Sequence, residues 1–70
     1  MTIDNYKKIL YRQEAGSWVA EIPSLPSCYA LMETREAALE ELKGVFQMIV
    51  EEYRERGRDL PADTTEFVNA

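Results

Sequence analysis

The apolar pattern of this chain changes period at Thr34, and that change limits the possible folds more than any other feature. From Thr34 onward Ala38, Leu42, Val45, Phe46, Ile49 and Tyr53 recur at steps of three and four, which places them on one face of a helix. Glu36, Glu40, Lys43, Gln47, Glu51 and Arg54 fall on the opposite face. Thr34 is a good N-cap, Glu36 sits in the first turn where the helix dipole favours acids, and Gly57 with Pro61 behind it marks the end. A helix of roughly 22 residues spans about 33 Å. Gly44 lies inside it, costs about 0.5–1 kcal/mol relative to Ala, and reads as tolerated rather than required.

Before Thr34 the signals are those of short strands. Residues 6–13, YKKILYRQ, form the first, and Glu14-Ala15-Gly16-Ser17 supplies a turn. Residues 18–22, WVAEI, form the second, closed by Pro23-Ser24-Leu25-Pro26, since proline cannot donate to a ladder and restricts its predecessor. Residues 28–32, CYALM, form the third. After the helix, Thr65, Phe67 and Val68 have the composition of a short fourth strand, set against fraying at a terminus. The expected fold is one α+β domain over residues 1–70, a three-stranded antiparallel sheet under one long amphipathic helix in the order β-β-β-α, with the fourth strand as the open element.

Side chains alternate across a sheet, yet these strands carry apolar residues at both parities: Leu10 beside Ile9 and Tyr11, Val19 beside Trp18 and Ala20, Leu31 beside Ala30 and Met32. One helix covers one face. The other face needs a second copy of the chain or a different protein. Tyr11, Trp18 and Tyr29 are the residues best suited to such a contact, because large rigid aromatics dominate interface energetics when they are not sealed in a core.

A chain of 70 residues has one core and sits near the lower limit of independent stability. No apolar run approaches the roughly 20 residues of a membrane helix, and no secretory leader is visible, so cytoplasmic residence is expected. Net charge is −5 and unevenly placed. Residues 1–32 balance to zero, so the whole acidic excess lies in residues 33–70. That surface repels nucleic acid and favours a basic partner. Lys7, Lys8 and Arg12, interleaved with Tyr6 and Tyr11, read as protection of an edge strand rather than as a nucleic-acid platform.

Catalysis and cofactors are not expected. The chain has no histidine, no Gly-rich phosphate loop and no nucleophile elbow. Glu40-Glu41 and Glu51-Glu52 are adjacent helical pairs that point about 100° apart and do not share a ligand easily. Cys28 is the single cysteine, without metal partners, and reads as a semi-buried strand residue.

Residues 18–42, WVAEIPSLPSCYALMETREAALEEL, resemble the signature of the HicB-like antitoxin family. Trp18, Val19, Ala20, Ile22, Pro23, Leu25, Pro26 and Cys28 match in order, followed by Thr34, Ala38, Leu39, Gly57 and Pro61. The family's glycine before the cysteine is Ser27 here, the glycine two residues before the capping threonine is Met32, and its second glutamate is Ala37. The resemblance implies a β-β-β-α-β-like domain, akin to a reduced ribonuclease H fold without its catalytic acids, that docks on a small basic HicA-type mRNA endoribonuclease and covers its active site. Family members commonly add a C-terminal DNA-binding segment. None follows residue 70 in this sequence, so direct nucleic-acid binding is not expected.

The expected mechanism is occlusion. Glu36, Glu40 and Glu51 steer a basic toxin, and a patch of Tyr11, Trp18, Leu25, Tyr29 and Leu31 makes the desolvated contact, with a partner or in a dimer. The alternative is an orphan homodimeric regulatory module with no toxin, built by strand exchange or edge pairing. A small-ligand pocket protein is a third, weaker reading.

Overall fold

The computed structural model describes residues 2–68. A 3₁₀ turn at Ile3–Asn5 is followed by β1 (Ile9–Arg12), β2 (Trp18–Glu21), β3 (Tyr29–Met32) and α1 (Arg35–Glu55). The strands form one antiparallel sheet in the order β1-β2-β3. The α+β architecture and element order are those expected.

Each boundary has a local cause. The β1–β2 hairpin closes with Gln13 N–H donating to the Ser17 carbonyl at 2.8 Å and Gly16 N–H to the Gln13 carbonyl at 2.9 Å. Gly16 takes φ +96°, the left-handed residue that such a three-residue loop needs. Two consecutive turns, Ile22–Leu25 and Leu25–Cys28, join β2 to β3, with Leu25 N–H donating to Ile22 C=O and Cys28 N–H to Leu25 C=O. Pro23 and Pro26 occupy the second position of each turn, where their fixed φ is already correct. Ser27 follows at φ +64°. The turn therefore keeps the left-handed geometry although glycine is absent, at a cost of about 1 kcal/mol for a residue with a Cβ. Met32 is an ordinary β3 residue, so the second missing glycine changes nothing in the backbone.

Thr34 caps α1, its hydroxyl accepting from Ala37 N–H at 3.1 Å. At the other end Gly57 takes φ +66°. Gly57 N–H donates to Arg54 C=O, and Arg58 N–H to Tyr53 C=O at 2.9 Å, a Schellman closure. The helix packs on β2 and β3. Ala20, Ala30 and Ala38 are all buried in the shared core, and their small side chains allow helix and sheet to approach closely. Ile22, Leu25, Cys28 and Leu42 fill the space around them. Tyr6, just before β1, closes one end with its ring edge-on to Phe46, centroids 5.8 Å apart. Burial pushes the Cys28 thiol pKa up, as suits a small core residue. Gly44 faces open space, so nothing in the fold requires it to be glycine.

The fourth strand does not form among the described residues. Residues 61–68 lie outside the sheet, and side chains rather than a ladder bond the Thr64 and Thr65 N–H groups and the Pro61 carbonyl. Asp63 is the hub. Its carboxylate accepts from Lys7 N–H at 2.8 Å, from the Ser24 hydroxyl at 2.8 Å and from Thr65 N–H at 3.1 Å, while Lys7 Nζ lies 3.6 Å away. The Ser24 hydroxyl in turn accepts from Thr64 N–H at 2.9 Å, and the Tyr6 hydroxyl donates to Pro61 C=O. With the N–H groups of Thr64 and Thr65 used in this way, the segment has fewer donors to add to an edge. Phe67 and Val68 are left exposed.

These hydrogen bonds, led by the one from Lys7 N–H, hold the Asp63 carboxyl well below the usual carboxylate range. A depressed carboxyl pKa contributes stability that is fully present above the unfolded value of about 3.9 and is lost as pH falls through the folded value. Urea titrations at a series of pH values will therefore show Asp63→Asn less stable than wild type at neutral pH. The two stabilities will converge as pH falls below about 4.

Candidate functional site

The register decides which strand residues share a face. Tyr11, Val19 and Leu31 lie side by side across the three strands, as do Ile9, Glu21 and Tyr29. These six form the face turned away from α1. Leu10, Trp18, Ala20, Ala30 and Met32 belong to the other face and join the helix-side core. The uncovered face thus carries a continuous apolar surface, with Tyr29 60%, Leu31 52% and Tyr11 44% exposed. Val19 is only 7% exposed because its strand is central and its neighbours' side chains flank it. Glu21 is the one carboxylate on this face, placed between Ile9 and Tyr29.

Of the residues proposed for contact, Tyr11, Tyr29 and Leu31 come together here. Trp18 does not. Its odd-numbered neighbours point outward, so it points toward the helix and packs against the core. Leu25 is a clear correction: it is 2% exposed and belongs to the core, because the turn ending at Leu25 N–H directs its side chain inward. Ile9, Val19 and Glu21 replace them. Parity counted from Tyr11 identifies Ile9, and the register adds Val19, beside Tyr11 and Leu31, and Glu21, beside Ile9 and Tyr29.

Glu36, Glu40 and Glu51 are exposed on the solvent side of α1, and Glu40 pairs with Lys43 at 3.3 Å. They therefore stand on the opposite side of the molecule from Tyr11, Tyr29 and Leu31. Core and sheet lie between the two surfaces, and the screening length in physiological salt is about 8 Å. The helix acids and the apolar face are two surfaces rather than one.

Other features offer less chemistry. A hollow of about 240 Å³ lies between the Pro26–Ser27 turn and the helix end, lined by Glu52, Tyr53, Arg56 and Arg58, and Arg56 is already paired to Glu52 at 3.1 Å. Among the described residues no three His, Cys, Asp or Glu side chains gather as metal ligands would. No described helix is long and apolar enough to cross a membrane.

A helix on one side of a small sheet and a bare aromatic-aliphatic face on the other define a compact α+β domain with a surface suited to binding. A UPF0150 protein of a Synechocystis species is 40% identical over 58 residues, which cover 83% of this chain and 80% of that protein. A UPF0150 protein of Thermoplasma acidophilum is 28% identical over 63 residues, 90% of this chain and 91% of the relative. The chain belongs to the UPF0150 family. No family model matches it. No solved structure matches it either.

The two faces separate in a stability measurement. Leu25→Ala will lower unfolding free energy by about 2–5 kcal/mol, as for a buried leucine. Tyr29→Ala will change it by about 0.5 kcal/mol or less, as for an exposed position. Urea denaturation followed by circular dichroism reads both.

Proposed function

We propose that this chain is a HicB-like antitoxin-type protein that binds a small basic HicA-type mRNA endoribonuclease and occludes its active site, with no catalytic activity of its own. The uncovered face of the sheet carries this reading: Ile9, Tyr11, Val19, Tyr29 and Leu31 around Glu21. Support also comes from the matched segment from Trp18 to Leu42 and from the acidic excess of a chain with net charge −5.

Burial of the apolar residues supplies affinity, and Glu21 supplies the choice of partner. A carboxylate amid apolar groups becomes desolvated when the face is covered, so it disfavours any partner that brings no cation to it. A basic side chain beside a ribonuclease active site meets that need and is itself sequestered. The acids on α1 act differently: they set the net charge that draws a basic protein from a distance, and salt screens them.

Co-expression with the protein encoded beside it, followed by affinity purification, tests the assignment. The expected result is co-purification of a small basic protein whose ribonuclease activity is suppressed in the complex. Glu21→Lys and Tyr29→Ala will weaken the complex by tenfold or more, on the order of 1.4 kcal/mol each. Glu40→Lys will alter mainly the association rate and its salt dependence. Absence of any such partner, or ribonuclease activity in the isolated chain, contradicts the assignment.

A further inference from the structure

We propose that the hollow between the Pro26–Ser27 turn and the end of α1 binds a small organic monocarboxylate, its anionic end held by Arg58 and Arg56 and its apolar body against Pro26, Ile49 and Tyr53. The site is separate from the proposed toxin surface. None of its lining residues belongs to the open sheet face.

Positive charge gathers here in the acidic half of the chain. Residues 33–70 hold the whole negative excess, yet Arg54, Arg56 and Arg58 alternate with Glu55 and Gly57 at the helix end. Arg54 lies in the last turn of α1, where a cation complements the helix dipole. Arg56 pairs with Glu52 at 3.1 Å. Arg58 has neither role. It stands past the Schellman closure and, although Glu55 and Asp59 are close in sequence, it makes no ion pair among the described residues. The carbonyls of Glu52, Tyr53 and Arg54 are engaged by the N–H groups of Arg56, Arg58 and Gly57, which leaves fewer bare carbonyls to repel an anion.

The rest of the lining is rich in donors. Ser27 and Tyr53 bring hydroxyls, and neither side chain has a hydrogen-bond partner among the described residues. Glu52 is the one carboxylate of the lining, and Arg56 already engages it. Two guanidiniums against one carboxylate leave a single positive charge, which a monoanion neutralises. A polyanion such as RNA is repelled by a chain of net charge −5. The planar fork of arginine matches a carboxylate, and Pro26 and Ile49 give the hollow an apolar wall. Its volume is about 240 Å³. An apolar cavity of about 150 Å³ accommodates benzene, so a ring with a carboxylate arm fits.

Ser27 is a separate observation pointing to the same place. Its backbone stands at φ +64°, where glycine would hold the turn without the cost of a Cβ. Local strain of this kind clusters at ligand sites. Serine at this position sets a hydroxyl on the wall of the hollow.

Titration of the isotope-labelled full chain with phenylacetate, followed by NMR at neutral pH, tests the site. The expected result is a saturable shift of the Ser27, Ile49, Tyr53 and Arg58 signals, with neutral phenylacetamide binding about tenfold more weakly or less. Arg58→Gln is expected to weaken phenylacetate binding by about tenfold, while Arg54→Gln, outside the hollow, leaves it within about twofold. Glu52→Gln releases Arg56 and is expected to tighten binding. All three side chains are exposed, so the variants keep the fold. No saturable shift at millimolar phenylacetate overturns the proposal. Equal binding of phenylacetamide overturns it too, since the arginines then recognise nothing, and so does an equal response to inorganic phosphate, which needs no apolar wall. Equal weakening by Arg54→Gln and Arg58→Gln overturns it as well, because overall charge rather than the hollow is then responsible.

Discussion

One helix can cover only one face of a sheet, and the rest of this structure follows from that limit. The contact itself depends on three buried alanines, Ala20 and Ala30 on adjacent strands and Ala38 on the helix, which let α1 settle close over β2 and β3. Larger groups then fill the margins: Leu42 and Phe46 from the helix, Ile22, Leu25 and Cys28 from the strand ends and turns, and Tyr6 from the segment before β1. Every apolar residue of opposite parity is left on the far side. The exposure of Tyr11, Tyr29 and Leu31 is therefore a product of the packing, and no movement of the helix could cover them while keeping its own face buried.

The parts of the fold written in local pattern were legible from the sequence. The helix and its caps show in a period, a threonine and a glycine, and the hairpin in Gly16. The presence of a second, uncovered face was legible too, from parity alone. Assigning individual residues to it needed a register, and there aromatic size misled: Trp18 packs beside the core while the smaller Ile9 and Val19 lie on the open face. Leu25 was misread because a residue between two prolines looks like exposed loop. Consecutive turns, each begun by a proline, instead fold it inward. The β propensity of Thr65, Phe67 and Val68 lost to Asp63, whose side chain binds the backbone on both sides of a distant contact. The signal for that was short and polar, an Asp two residues before a Thr, as in an Asx turn.

The chain belongs to the UPF0150 family, and its resemblance to the HicB-like signature is carried by residues 18–42. In the structure that segment supplies the central strand, the two-turn connection, β3 and the start of α1. It shapes both the core and the open face. Ser27 shows how strongly the connection is specified, since its backbone holds a left-handed angle that serine resists. Charge is placed in two ways: acids stand exposed along α1, while Glu21 sits between Ile9 and Tyr29 within the apolar sheet face.

The most direct test is to map contact on the isotope-labelled chain by NMR while adding the protein encoded beside it. The account predicts that signals of Ile9, Tyr11, Val19, Glu21 and Tyr29 shift or broaden together, while those of Glu36, Glu40 and Glu51 on the solvent side of α1 stay in place. Perturbation confined to the helix, with the sheet face unchanged, would contradict it.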